Sequence, residues 1–456
     1  MNVESESIKT TLATYADALT GIVGILIFVY TLELSELGVY YILTAVNQIA
    51  TRPVRGISTA NEHYTRSGGA EGGAYFGSTI GISLFVNTVI AVLVVSAHGI
   101  GATRMIGVET SAIGALVGLI FTTSLFEVAR GSYSGRYNPS TPKFIDALTG
   151  LVQTILQVTV VLLGYGVTML IVTTAVSYII GFVILYSQLS VAQPRLGIIV
   201  RLVEFGKWSS ITEVADSIFD SIDPIALGYL ITPAIAGGYS AVVRITQGVG
   251  YVGLGLQKPV LVYTSTYDER CDELYEKVSH IGSYATVLAI PVLAGGLVVG
   301  FDVLTLYDEH VVSDELLPAM YYPLLLASTV YFGLNSHNRI LMELNHGLRN
   351  PKFVTKATVI STIVRVIGVI ILTVLYGLNG LIVAMLLSIS IRFVILQHSH
   401  EYVPRRIVYQ IAPAIVMMGV VSIIPSNTVV AVGIGAVTYL TVLTAIDRSI
   451  RSYVQE

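Results

Sequence analysis

Apolar segments about 20 residues long follow one another along almost the whole chain, and this repetition limits the fold more than any other sequence feature. In hydrocarbon the backbone must satisfy its hydrogen bonds internally, and a continuous apolar segment of this length does so as a helix. Only 12% of the 456 residues are charged, well below the roughly 25% typical of soluble domains. We therefore predict an all-α polytopic membrane protein without a large soluble domain.

The apolar windows predict about fourteen transmembrane helices. These spans lie at residues 14–33, 37–58, 75–97, 108–129, 143–164, 167–189, 208–231, 236–262, 280–301, 317–338, 353–375, 378–397, 406–424 and 427–447.

The connections between the spans alternate in charge. One set holds Arg52, Arg55, Arg66, Arg130, Arg136, Lys143, Arg195, Arg201, Lys207, Lys258, Arg270, Lys277, Arg339, Arg349, Lys352, Lys356, Arg392, Arg405, Arg406, Arg448 and Arg451. The other set has essentially only Arg104. Basic connections stay on the cytoplasmic side, so an even number of spans puts both termini in the cytoplasm. We expect this multi-pass protein in the cell membrane.

The sequence contains an internal repeat that relates its two halves. The segment Tyr165–Leu185 aligns without a gap to Tyr376–Leu396, and about half of the positions are identical. At the start of each half, one constant difference in residue number aligns Asp17 with Asp216, Gly38 with Gly237, Tyr40 with Tyr239 and Gln48 with Gln247. Six helices return the chain to its starting side, so the repeats are parallel. We predict two six-helix lobes, 1–200 and 201–400, and an additional helix pair with a tail at 401–456; chance similarity of apolar segments is the alternative.

Several of these features together resemble a known family of transporters. They are Gly38 and Tyr40 at the start of the second span, Gly237 to Tyr239 at the eighth, Pro259 closing the eighth, and the added helix pair. The chain is similar to the polysaccharide or oligosaccharide flippases, whose superfamily also holds multidrug and toxic-compound extruders and peptidoglycan-precursor flippases. The resemblance implies a two-lobed, alternating-access transporter. Its central cavity would be lined by the first, second, seventh and eighth spans and would carry a polyprenyl or dolichyl phosphate-linked glycan.

Four carboxylates follow one face of the seventh span: Glu213, Asp216, Asp220 and Asp223. Their spacing of three, four and three residues keeps them on one helical stripe, which must be hydrated, protonated or paired with cations. We expect these acids, with Asp17 as the repeat counterpart of Asp216, to line the cavity and to couple transport to Na⁺ or H⁺. A sodium ion at Asp220 and Asp223 is one form of this expectation. Structural pairing at a solvated helix end is the other.

Two arginines, Arg244 and Arg365, are placed well inside spans. A guanidinium suits phosphate recognition, so both are candidates for binding the substrate phosphate. Arg244 could instead neutralise the acidic stripe, and Arg365 could extend to the cytoplasmic interface.

Neutral polar residues also lie inside the spans. Asn47, Gln48 and Gln247 are candidates for hydrogen bonds with glycan hydroxyls in the cavity. Such residues also join helices to one another, and Gln157 is open to the same two interpretations.

Three classes of function fit a chain of this kind. The first is a lipid-linked glycan flippase, the second an ion-coupled multidrug extruder, and the third a multi-spanning glycan polymerase or glycosyltransferase. The external connections are short and carry no metal-ligand pattern, no acid–base pair and no nucleotide-binding motif. We therefore expect a transporter that is not an enzyme and has no cofactor. Its expected partners are the glycan lipid, membrane lipids, Na⁺ or H⁺ and, functionally, glycosyltransferases, but no nucleic acid.

Overall fold

The computed structural model of the chain describes residues 24, 27–67, 71–137, 140–265, 272–311, 317–398, 402–424 and 428–446. Within these ranges the chain forms fourteen α-helices. They are α1 (Leu34–Ser67), α2 (Gly72–Gly99), α3 (Thr110–Arg136), α4 (Ser140–Leu162), α5 (Val167–Tyr186), α6 (Leu196–Leu230), α7 (Pro233–Gln247), α8 (Tyr251–Ser265), α9 (Asp272–Gly282), α10 (Ala289–Val311), α11 (Leu317–Gly347), α12 (Pro351–Gln397), α13 (Val408–Ile423) and α14 (Thr428–Ile446).

The predicted spans correspond to these helices, although not one to one. Span 14–33 lies mostly outside the described residues. Span 236–262 occupies α7, a short turn at Gly248–Gly250, and α8. Seven described segments are long and apolar enough to cross a membrane: α2, α3, Thr141–Leu162 of α4, α5, α12, Arg405–Ile423 and α14. The prediction of an all-α polytopic membrane protein is confirmed.

Helix α12 is a hairpin of two spans. Gly377 has φ 60° and ψ −139°, a conformation that L side chains rarely adopt, and the chain reverses direction there. The two arms then run antiparallel, so that Arg365 of the first arm reaches Ser388 of the second. The predicted spans 353–375 and 378–397 are these two arms.

Helix α9 was not predicted from the sequence. Leu274 and Val278 are fully buried in an apolar cluster with α8, α11 and α12, whereas Glu273 and Lys277 are exposed. Hydrogen bonds to Tyr263 and Glu273 raise the pKa of Lys277, which keeps this side chain charged. An 11-residue helix with one apolar and one charged face is too short to span a bilayer.

By its internal contacts the chain divides into two compact units, residues 1–240 and 241–456. In the first unit, α1 and α6 pack antiparallel along their length, with Ile42 beside Gly228 and Ile57 beside Gly206. Helix α3 packs against α1, α2 and α5, and α4 packs against α5. Helix α6, which the sequence assigns to the second predicted lobe, is therefore an integral part of the first compact unit.

Two glycines that the repeat pairs with each other meet within the first unit. A Cβ atom added to Gly38 in α1 would overlap the carbonyl oxygen of Pro233, and one added to Gly237 in α7 would overlap that of Leu34. Each added Cβ atom would also lie 3.0 Å from the backbone nitrogen of the other glycine. Only glycine permits two helices to approach this closely.

In the second unit, α11 is the central helix and packs against α8, α10 and α12. The final pair, α13 and α14, packs against α10. Met417, Ala431 and Tyr439 are buried at this contact. The predicted C-terminal helix pair is thus attached to the unit through α10.

Candidate substrate and ion sites

The acidic stripe of α6 does not have a uniform environment. Asp220 is exposed and Asp216 is half-buried, whereas Asp223 is only 1% exposed. The Asp223 carboxylate accepts a hydrogen bond from the hydroxyl of Tyr239. Asp220 and Asp223 therefore differ sharply in exposure although they are one helical turn apart.

Glu213, at the other end of the stripe, is paired with cations from α1. Its Oε2 atom lies 3.3 Å from Nη1 of Arg52 and 3.5 Å from Nε of Arg55. The side chain of Glu213 retains 30% of its exposure, so water still reaches the cluster. This arrangement fits the structural-pairing alternative for Glu213, because two positive charges already compensate the carboxylate.

Two polar candidates, Asn47 and Gln48, are neighbours in α1. Ser221 lies between Asp220 and Asp223 in the sequence of α6. Its hydroxyl donates to Oε1 of Gln48 over 3.0 Å, so Gln48 joins α1 to α6. Asn47 is buried, and its Oδ1 atom has no hydrogen-bond partner among the described residues. Of the two predicted polar residues of α1, Asn47 is thus buried and the half-buried Gln48 bonds to α6.

Two predicted candidates contact each other in the second unit. Nη1 of Arg244 donates to Oε1 of Gln247 over 3.1 Å, one turn further along the chain. The adjacent Thr246 is buried and its hydroxyl lies 2.9 Å from that of Ser328, which fixes this part of α7 to α11. Arg244 itself is half-buried.

Arg365 is buried inside the α12 hairpin and does not extend to the interface. It is 1% exposed, its Nη1 atom donates to the hydroxyl of Ser388 over 3.1 Å, and its guanidinium lies 5.2 Å from the ring centre of Tyr331. An arginine held by a hydroxyl and an aromatic face joins the two arms to α11.

Sequence reasoning missed a second buried arginine in the same hairpin. Arg392 was assigned to a cytoplasmic connection, but it is 2% exposed and its Nε atom donates to the hydroxyl of Ser361 over 2.9 Å. Because Arg392 lies close to the end of α12, the sequence analysis interpreted it as a cation that flanks the span. The repeat held the signal, because Arg392 aligns with Gly181, and a change from glycine to arginine inside a span indicates a special position.

A charged cluster in α3 and α4 was also missed. Arg130 pairs with Glu127 over 2.6 Å and with Asp146 over 3.0 Å, and Lys143 lies 3.6 Å from Asp146. The sequence analysis counted Arg130 and Lys143 only as connection cations. Their carboxylate partners show that the charges here are mutually neutralised.

Gln157 joins three helices of the first unit. Its Nε2 atom donates to the hydroxyls of Tyr40 in α1 and Thr174 in α5, each over 2.9 Å. The helix-joining interpretation therefore applies to Gln157. Tyr40 and its repeat counterpart Tyr239 both use their hydroxyls to bind a buried polar side chain.

The remaining expectations concern Asp17 and a metal ion. Asp17 lies outside the described residues. In the described part of the chain, no group of three or more histidine, cysteine, aspartate or glutamate side chains is arranged to hold a metal ion. Coupling by an ion at Asp220 and Asp223 stays a prediction.

The comparisons with known proteins decide the family. A family model described as "Polysaccharide biosynthesis protein" matches residues 27–307, which is more than half of the chain. The chain belongs to this family. Its resemblance to flippases, predicted from the glycine and tyrosine pattern, is confirmed.

Two relatives from Haloferax volcanii match most of the chain. "Probable flippase AglR" is 24% identical over 75% of this chain and 75% of its own length. "Probable low-salt glycan biosynthesis flippase Agl15" is 23% identical over 88% of this chain and 83% of its own length.

Solved structures of two kinds share the fold. The lipid II flippase MurJ in an inward closed conformation has a TM-score of 0.80 and 16% identity, covering 97% of this chain and 99% of that one. An inward-facing multidrug resistance MATE transporter has a TM-score of 0.64 and 17% identity, covering 86% and 94%.

Proposed function

We propose that this protein translocates a lipid-linked oligosaccharide, carried on a polyprenyl or dolichyl phosphate, across the cell membrane. The observation that carries the proposal is its similarity to two proteins named as flippases over at least three quarters of the chain. The shared fold with a lipid II flippase over nearly the entire length supports it. Both termini would lie in the cytoplasm, and glycosyltransferases would supply the substrate.

The proposed mechanism is alternating access by the two repeat-related lobes, residues 1–200 and 201–400, with the pair at 401–456 added to them. The glycan would pass through a polar interior while its lipid chain stays in the bilayer. Arg244 supports this mechanism because a half-buried guanidinium can bind the substrate phosphate while it remains reachable from water. Arg365, which is buried between Ser388 and Tyr331, would serve the phosphate only after the hairpin rearranges.

Ion coupling is proposed for Asp220 and Asp223. The exposed carboxylate of Asp220 can exchange Na⁺ or H⁺ with water, and the buried carboxylate of Asp223 lies one turn away with a hydroxyl partner. Binding of a cation would change the charge of this turn, which gives transport a means to depend on a gradient. Asn47 and Gln48 on α1 would present polar atoms to the same region.

A flipping assay in proteoliposomes tests both transport and coupling. The wild-type protein is expected to move a polyprenyl phosphate-linked glycan, and a Na⁺ or H⁺ gradient is expected to accelerate it. Asp220→Asn and Asp223→Asn are expected to remove the acceleration, because an amide cannot bind a proton or hold a sodium ion by charge. Absence of glycan movement by the folded wild-type protein would refute the function.

Two control variants separate charge from structure in this assay. Asp302→Asn removes an exposed carboxylate from α10 and is expected to keep the gradient effect. Tyr239→Phe removes the hydroxyl partner of Asp223 but leaves its carboxylate, so coupling should persist. Full gradient dependence in both the Asp220 and Asp223 variants would exclude the coupling proposal.

Drug export is the second candidate, because the chain also shares the fold of a MATE transporter. The same vesicles distinguish the two functions. Transport of small amphipathic cations without movement of the glycan lipid would favour the extruder.

A further inference from the structure

A polar groove lies in the second unit, at the end that the charge pattern places toward the cytoplasm. Its volume is about 470 Å³. The side chains that matter for its chemistry are Glu276, Ser279, His280, Ser283, Arg405 and Arg406. None of them belongs to the proposed transport sites.

The walls of the groove are held firmly by buried groups. Tyr402 is fully buried against Gly282, and its hydroxyl lies 2.7 Å from Nδ1 of His337. The hydroxyl of Ser279 accepts a hydrogen bond from the backbone nitrogen of Val403 over 3.0 Å. The hydroxyl of Ser283 accepts one from the backbone nitrogen of Arg406 over 3.3 Å. The backbone that carries both arginines is therefore fixed against α9 and the chain that follows it.

The charge of the groove favours an anion. Arg405 is exposed and Arg406 half-buried, and His280 lies on the facing wall. Glu276 is the one carboxylate among the described lining residues, so the arginines outnumber it. Two guanidinium groups match the charge and the several acceptor oxygens of a phosphate.

Apolar surface continues directly from the groove. Val408 and Tyr409, at the start of α13, are 66% and 50% exposed, and Val403 on the groove wall is 50% exposed. Tyrosine is typical of the membrane interface, and basic side chains on the cytoplasmic side meet anionic lipid headgroups. A ligand that carries a phosphate and apolar chains uses both surfaces, whereas free phosphate uses only the groove.

We propose that this groove binds the phosphate of an anionic phospholipid in the cytoplasmic leaflet, with the lipid chains lying against the start of α13. The site is separate from glycan translocation and does not depend on it. Its occupant would tie Arg405 and Arg406, just before α13, to the membrane surface.

Binding of phosphatidylglycerol to the full-length purified protein, measured by native mass spectrometry, tests the proposal. Arg405→Gln combined with Arg406→Gln is expected to weaken binding at least about tenfold, since each charge-assisted hydrogen bond to phosphate contributes substantially. The lysine variants at both positions keep the charge and should retain most of the binding. Equal affinity of the wild-type protein and the double glutamine variant would overturn the proposal.

A matched control removes two exposed cations outside the groove. Lys352→Gln with Lys356→Gln changes the net charge of the same unit by the same amount and should leave affinity unchanged. An equal loss in this control would show general charge attraction and overturn the site. Thermal unfolding of every variant confirms that it is folded.

Competition distinguishes the possible phosphate sources. Inorganic phosphate at millimolar concentration should not displace phosphatidylglycerol, because it lacks contact with α13; displacement would contradict the lipid assignment. Stronger binding of polyprenyl phosphate than of phosphatidylglycerol, lost in the double glutamine variant, would also contradict it and would assign the groove to the glycan carrier.

Discussion

At the residue scale, several charged side chains of the first unit are compensated by partners of opposite charge. Glu213 has two arginine partners, and Arg130 has two carboxylate partners. Removing one member of such a cluster leaves the others without compensation inside the protein, so these groups contribute to the fold. Asp220 is exposed and Arg244 is half-buried. These two are the residues at which we propose that ligands bind.

Replacement of Arg244 tests its proposed contact with the substrate phosphate. Arg244→Ala is expected to raise the substrate concentration for half-maximal flipping by about tenfold or more, because a charge-assisted hydrogen bond contributes about 1.5–3 kcal/mol. Arg244→Lys should recover part of this loss. The measurement is the flipping rate at increasing glycan-lipid density in proteoliposomes.

The control for Arg244 is Arg66→Ala, which breaks an exposed pair with Glu62. Such surface pairs contribute little, so flipping should be unchanged. Normal half-saturation in Arg244→Ala, at normal protein content, would show that this arginine does not bind the phosphate.

At the element scale, the helical type of the segments followed from the sequence, but their packing partners did not, and α1 and α6 are longer than the predicted spans. The apolar windows predicted both arms of α12, because each arm is a continuous hydrophobic segment. Helix α9 was missed because its 11 residues are mostly polar and lack such a segment. The contact between Arg52 and Glu213 joins residues 161 positions apart, and no local pattern encodes a contact of this kind.

The glycine contact between α1 and α7 gives a prediction about stability. Gly38→Ala is expected to destabilise the protein by about 1–3 kcal/mol, because the new methyl group overlaps the backbone at Pro233. Thermal unfolding in detergent should show a lower midpoint. An unchanged midpoint would mean that the two helices separate without cost.

Gly114→Ala is the matched control. Gly114 lies in a helix and an added Cβ atom there meets no other group within 4 Å. The substitution should leave stability unchanged or raise it by up to about 1 kcal/mol, because alanine favours helix. The two glycine variants should therefore shift the midpoint in opposite directions or differ clearly in size.

At the scale of the whole molecule, the charge alternation defines a topology that labelling can test. Cys271 is the single cysteine, so Cys271→Ser gives a background for new thiols. A cysteine at Arg104 is expected to react with a membrane-impermeant maleimide in intact cells, because this connection is predicted to be external. A cysteine at Lys352 should react only after the membrane is permeabilised. The reverse pattern would invert the topology.

The family and the general architecture could be predicted because they depend on features spread along the chain. A succession of apolar helices survives many substitutions, so a single sequence retains it. The candidate sites depend on a few long-range contacts. Asp223 was predicted as part of a stripe, but its burial and its hydrogen bond from Tyr239 follow only from the tertiary fold.

The sharp reversal at Gly377 has a consequence for membrane insertion. The two arms of α12 are joined without a hydrophilic loop, so the translocation machinery has almost no polar segment to carry across between them. If one arm entered the bilayer alone, the other arm would remain apolar and exposed to water. We therefore expect the arms to enter as a pair, so that Arg365 and Arg392 enter hydrocarbon together with the serines that accept their hydrogen bonds.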